Sequence, residues 1–130
     1  MIKTVLDTNV LVSALLVAES NPARILGMAL NGNIMVCYDS RILLEYKAVL
    51  TRPKFPFRER DVNALIDTLT RTGASIIASP SNIHFVDATD KKFYEVAQSV
   101  GAYLITGNGK HYPDDNCVLS PAEFLSLLMT

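Results

Sequence analysis

Two rhythms of apolar positions alternate along this chain of 130 residues. Short, nearly continuous apolar runs (KTVL, IMVCY, ASIIA, AYLITG and CVLS) have the length and composition of buried strands. Between them, longer stretches repeat their apolar residues every three or four positions and predict helices. The clearest is ERDVNALIDTLTRT, where Val62, Leu65, Ile66 and Leu69 share one face. VLVSALL and NPARILGMAL follow the first strand, the second with Asn21 as N-cap and Pro22 at the first helical position. RILLEYKAVLT follows the second strand, capped by Asp39 or Ser40. DKKFYEVAQSV follows the third and ends at Gly101. The final stretch, SPAEFLSLLM, carries Ser120 as N-cap, Pro121 next and Glu123 at the capping-box position. Gly73 stands as a C-cap candidate for the long helix. RPKFPF, with two prolines, and the polar link SPSNIHFVDAT break the pattern.

Strands separated by helices require crossover connections. The order therefore predicts an α/β fold with a mainly parallel five-stranded sheet and helices on both faces. The length suits one domain over residues 1–130. In such sheets ligands bind beyond the carboxyl ends of the strands, so useful polar groups should lie just after them.

Composition narrows the function only a little. Twelve basic and 13 acidic side chains give a net charge of −1, which excludes a strongly basic nucleic-acid binder of the histone kind. A local patch is still open: half of the Lys and Arg fall between Arg41 and Arg60, most densely in TRPKFPFRER, although each alone reads first as a solvated side chain. Cys37 and Cys117 lie in apolar runs and are too few for a disulfide framework or a zinc site. They read as buried, reduced thiols of a cytoplasmic protein. No segment is long enough to span a membrane, and Asp7 interrupts the apolar N-terminal stretch where a signal sequence would be continuous.

Four polar groups fall where the strand rule places them. Asp7 follows the first strand, Glu45 lies early in the helix after the second, Asp90 starts the helix after the third, and Asn108 follows the fourth. Each has an ordinary explanation. Asp7 suits a turn or N-cap, and Asn108 beside two glycines suits a turn. Asp90 suits the first turn of a helix, with Asp87 in a capping arrangement. Glu45 is harder to dismiss, because Ile42, Tyr46 and Val49 share its helical face and a carboxylate there must be paired, metal-bound or reach water. Together, three carboxylates from three junctions converge on one sheet edge. Oxygen-only ligands suit Mg2+ or Mn2+, and such a cation would relieve their mutual repulsion. The chemistry this supports is metal-assisted hydrolysis of a phosphodiester. No glycine-rich phosphate loop follows the first strand, which speaks against a nucleotide cofactor.

The segments VLDTNVLVSALL, SRILLEYKAVLTRPKF, DATDKKFYEVAQSVGAYLITGNGKHYP and VLSPAEFL, in this order, resemble the PIN domain family over essentially the full chain. They are most similar to its small toxins of toxin–antitoxin pairs. The resemblance implies a three-layer Rossmann-like α/β/α sandwich and a Mg2+- or Mn2+-dependent endoribonuclease. It further implies an antitoxin partner and a homodimer. Asp7, Glu45 and Asp90 match the family's metal-holding acids. Asn108 stands where the family commonly has a fourth Asp, so it brings an amide without a charge. Asn9 is placed to hydrogen-bond a ligand carboxylate or a neighbouring loop, the Thr106 hydroxyl could do the same, and Asp87 would compensate if its loop folds inward. Lys91, Lys92, Lys110 and His111 flank the site and could position an RNA backbone. Asp114 and Asp115, in the loop after His111, read as solvated. The alternative is a catalytically weak PIN-fold module that binds RNA or a protein without turnover.

Overall fold

The computed structural model describes residues 1–130. Its element order is β1 (Lys3–Leu6), α1 (Thr8–Leu16), α2 (Asn21–Leu30), β2 (Met35–Tyr38), α3 (Ser40–Leu50), α4 (Glu59–Thr72), β3 (Ala74–Ser75), α5 (Lys91–Val100), β4 (Tyr103–Ile105), β5 (Val118–Leu119) and α6 (Pro121–Leu128). The five strands form one sheet in the order β3-β2-β1-β4-β5, and every pairing is parallel. The α/β class and parallel sheet expected from the alternating pattern are thus present.

The order explains where the layers lie. The chain steps outward from β1 to β2 to β3, then returns to the other side of β1 at β4. Right-handed crossovers place the helices of the outward steps on one face and α5 on the other. The packing agrees: α2 touches α1, α4 and α6, whereas α5 lies across β1, β2 and β4. The central strands are sealed from both sides, with Val5, Leu6, Cys37, Leu104 and Ile105 all fully buried. The strand order reverses between β1 and β4, so their carboxyl ends open a crevice of the kind that binds ligands in α/β sheets.

Local sequence chemistry sets most boundaries. Ser120 accepts the Glu123 N–H at 3.1 Å while the Glu123 carboxylate accepts the Ser120 N–H at 2.8 Å, the capping box read from the sequence. Asp39, not Ser40, caps α3, through Oδ1 to the Ile42 N–H at 3.1 Å. The N-cap of α2 is Ser20 rather than Asn21: its hydroxyl accepts the Ala23 N–H at 3.2 Å, and Pro22 follows inside the first turn. Gly101 ends α5 in the left-handed region at φ 66°. Gly73 ends α4 in extended backbone, so its role differs from the expected left-handed cap. A Cβ there would stand 2.2 Å from the Val36 carbonyl oxygen and 2.7 Å from that of Leu69. The glycine lets β3 lie against β2.

The third strand is shorter than its apolar run. ASIIA pairs only through Cys37↔Ala74 and Tyr38↔Ser75, with one further bond from the Ile76 N–H to the Tyr38 carbonyl at 2.8 Å. Beyond that, β2 has turned into α3 and offers no partner. Residues 76–87 then run as an irregular link, held to α5 by the Ser79 N–H to Ser99 Oγ (2.9 Å) and the Ser81 N–H to Glu95 Oε2 (2.7 Å). Both cysteines are free, Cys37 buried and Cys117 half-buried. No single helix is long and apolar enough to cross a membrane.

Candidate active site

Asp7 sits where β1 ends, its N–H still donating to the Ile105 carbonyl at 3.0 Å. It occupies the N-cap position of α1, yet its side chain makes no capping bond. Instead Asp7 Oδ2 accepts two hydroxyl donors, from Thr106 at 2.8 Å and from Tyr112 at 2.9 Å. Only 6% of the residue is exposed. The carboxylate has been turned from its helix into the crevice between β1 and β4. Burial raises its pKa above the ordinary 3.8, the two hydroxyls oppose the rise, and the charge of Glu45 adds to it.

The loop after β4 is bound to the start of α1. The Gly107 N–H donates to Asn9 Oδ1 at 3.0 Å, and the Asn108 N–H to Thr106 Oγ1 at 3.0 Å. Thr106 Oγ1 thus accepts two bonds, from the Asn108 N–H and from Asn9 Nδ2 at 3.5 Å, and gives one to Asp7, so Asn9 holds both the loop and the hydroxyl that fixes Asp7. The Asn108 side chain is exposed and makes no cap for the short turn at Gly109–His111.

Glu45 reaches the same region from α3. Its Oε2 accepts the Thr8 hydroxyl, and Lys92 Nζ stands 2.6 Å from its Oε1. Lys92 also donates to the Thr89 carbonyl. Its side chain is only 12% exposed, so its ammonium is directed inward, onto a carboxylate, rather than out toward a backbone phosphate. Tyr46, one residue on, donates to the Leu6 carbonyl at 2.5 Å and stacks on Phe93, pinning α3 above the end of β1.

Asp90 lies between the short helical turn at Ala88–Asp90 and α5. Its Oδ2 is sealed from solvent and accepts no hydrogen bond. His111 Nδ1 stands 3.3 Å away, near enough for an ion pair when the imidazole is protonated. Burial raises the Asp90 pKa, and the charges of Asp7 and Asp87 raise it further. Asp87 is exposed and caps the turn: Oδ1 accepts the Thr89 N–H at 2.9 Å and the Thr89 hydroxyl at 2.7 Å, which lowers its pKa. Lys91 is half-buried and unpaired, and Lys110 is exposed on the Gly109–His111 turn.

The structure therefore brings Asp7, Glu45 and Asp90 to one edge, where the charge of Glu45 raises the Asp7 pKa and that of Asp7 raises the Asp90 pKa. It does not gather three acidic, His or Cys side chains tightly enough to close around an ion. The donor set nevertheless fits a hard divalent cation. All the candidate ligands are oxygens, the repulsion of Asp90 by Asp7 and Asp87 is opposed only by His111, and Asp90 Oδ2 is a buried acceptor that makes no hydrogen bond.

Three contributors were not legible beforehand. Tyr112 donates to Asp7 from a polar loop, and burial with the Asp7 charge pushes its phenol far above the ordinary range, so it acts only as a donor. Its sequence signal is weak: an aromatic in a glycine-rich loop that has to bury somewhere. Thr8 orients Glu45. Glu95, almost fully buried, takes Arg41 at 2.8 Å and the Ser81 N–H, which together outweigh its burial and lower its pKa. Asp115, expected in solvent, instead ties the β5 approach to α5 by accepting the Tyr94 hydroxyl at 2.9 Å and the Cys117 N–H at 3.0 Å.

The family model described as "PIN domain" matches residues 3–110. An uncharacterized protein of Methanocaldococcus jannaschii is 33% identical over 110 residues, which cover 82% of this chain and 71% of that protein.

Proposed function

The chain belongs to the PIN domain family, whose members are generally metal-dependent nucleases, and from that premise we propose that it is a Mg2+- or Mn2+-dependent endoribonuclease. The observation that carries this reading is the buried, unsatisfied Asp90 Oδ2 beside an Asp7 that is aimed into the β1–β4 crevice instead of capping its helix. Asp7, Asp90 and Glu45 would hold the cation, with Glu45 released from Lys92. A bound divalent cation supplies an activated water and neutralises charge on the scissile phosphate. The chain's own residues do the rest. Thr106 and Tyr112 fix Asp7 and oppose the rise in its pKa, Thr8 orients Glu45, and Asn9 holds the loop that presents Asn108. His111, exposed beside Asp90, and Lys110, exposed one residue before it, are placed to meet a phosphate. An unpaired strand is the preferred substrate, because a flexible strand can reach a carboxylate-lined edge.

Within this reading residues 1–130 act as one PIN-like domain, and the protein is a cytoplasmic toxin of a toxin–antitoxin pair. The antitoxin and a homodimer rest on the family resemblance alone. The test is cleavage of single-stranded RNA with Mn2+, in parallel with calorimetric titration of the ion. Wild type should bind Mn2+ and cleave, and Asp7→Asn should do neither. Robust cleavage by Asp7→Asn, or by wild type in excess chelator, would sink the proposal. A second reading, a binding module without turnover, is favoured by the Lys92–Glu45 pair and the uncharged Asn108. It expects RNA binding, negligible Mn2+ affinity, and gain of Mn2+ binding in Asn108→Asp.

A further inference from the structure

The last turn of α3 and the segment after it carry the densest positive charge in the chain. Lys47, Arg52, Lys54, Arg58 and Arg60 are all exposed, and none forms an ion pair. Against these five cations the same stretch has two carboxylates, Glu59 and Asp61, a balance of +3 in a chain whose net charge is −1. Unpaired like charges repel, and the arrangement has a reason to exist if an anion covers it.

Two phenylalanines lie among them. The rings of Phe55 and Phe57 stack at 5.4 Å between centroids and 17° between planes. Phe57 packs against the core, whereas Phe55 does not belong to it and is partly exposed. Lys54 Nζ stands 5.1 Å from the centre of the Phe55 ring. The segment is stiff. Pro53 and Pro56 flank Phe55, and the Phe55 N–H closes a turn onto the Arg52 carbonyl at 3.0 Å. An aromatic ring is therefore held near the surface by a second, anchored ring and ringed by cations.

We infer that Arg52–Arg60 is a docking platform for single-stranded nucleic acid, with Phe55 stacking on a base and the surrounding Lys and Arg side chains holding phosphates. Stacking on an aromatic within a basic surface is how single strands are bound without sequence readout. A duplex keeps its base faces covered and cannot use the ring. The position suits the proposed chemistry. The platform begins one residue after Thr51, which caps the helix that carries Glu45 six residues, about 9 Å of rise, earlier. The identity of the ligand rests on the nuclease reading, and the test below involves no cleavage.

The test is fluorescence anisotropy of a labelled oligouridylate of about a dozen nucleotides, a length within single-strand site sizes, with the full chain in excess EDTA. Phe55→Ala should weaken binding by about fivefold or more, Phe55→Leu nearly as much, and Phe55→Trp should retain it. Lys54→Gln/Arg58→Gln, which changes two exposed side chains, should lower the slope of log affinity against log salt by about 1.4. Circular dichroism melting checks that each variant is folded. Unchanged affinity in folded Phe55→Ala with an unchanged salt slope in the double variant overturns the platform, as does failure of wild type to bind at low salt. If these losses appear but no metal-dependent cleavage is ever found, the platform stands and the nuclease reading falls.

Discussion

Tyr112→Phe removes one oxygen and nothing else, and its effect follows from the surroundings of Asp7. The phenol donates to a carboxylate that is 6% exposed, and its ring packs edge-on against Phe85 at 5.9 Å. Phenylalanine keeps that packing and leaves no cavity. What is lost is one of the two hydroxyl bonds to buried Asp7 Oδ2, and a bond to a charged group contributes about 1.5–3 kcal/mol. The loss belongs to the ionised state, since a neutral carboxyl depends less on donors. Asp7 has a folded pKa raised above its ordinary 3.8. Its charge is therefore a cost to the fold at neutral pH, and that cost is relieved as pH falls through the folded pKa. In Tyr112→Phe the pKa rises further. The stability gap between wild type and variant should thus be full at pH 7 and narrow as pH is lowered toward 3.8. Urea denaturation in EDTA at a series of pH values measures it. A variant within about 0.5 kcal/mol of wild type at pH 7, well short of the loss expected for a charge-assisted bond, would refute the reasoning. So would a gap that does not shrink on acidification.

Asp90→Asn removes a buried charge that Asp7 and Asp87 repel. The metal-free protein should gain up to about 1 kcal/mol by urea denaturation, while Mn2+-dependent cleavage falls by about 10²-fold or more. Lys92→Met takes the ammonium off Glu45 and keeps an unbranched stem over Phe93. Since a partly exposed pair is worth about 1 kcal/mol, Mn2+ affinity by titration calorimetry should tighten by about fivefold, and weaker binding would speak against Glu45 as a ligand. Gly73→Ala places a methyl 2.2 Å from the Val36 carbonyl oxygen. Overpacking of about 1–3 kcal/mol should lower the melting temperature by about 4 °C per kcal/mol, and an unchanged melting temperature would mean that β3 can move away from β2.

Much of this was readable from residue patterns because the causes are local. The α4 face and the Ser120–Glu123 capping box depend on neighbours within four positions, and they stand where periodicity put them. The run ASIIA shows where locality ends. Its apolar content says strand, but its length as a strand is set by β2, which turns away after Tyr38 and leaves Ile77 wholly exposed. The site divides the same way. Asp7, Glu45, Asp90 and Asn108 could be named because each follows a strand. The partners of Asp7 and Glu45 could not: Tyr112 and Lys92 meet them from 105 and 47 residues away. Nothing in KHYP or DKKF announces which atoms those side chains will touch. The same holds for Asp115 Oδ2, claimed by Tyr94 of α5 from 21 residues away, whereas its Oδ1 takes the Cys117 N–H only two residues on.

The crevice between β1 and β4 also fixes when the protein can become active. Asp7 is made at the start of synthesis, and the Thr106 hydroxyl that positions it comes 99 residues later. At about 5–20 residues per second, that interval is roughly 5–20 s. Until β4 takes its place beside β1, a nascent chain holds the acidic residues but not their alignment, and β2 alone borders the strand that carries Asp7. A PIN domain arranged in this way has no assembled acidic site until most of its length has been translated.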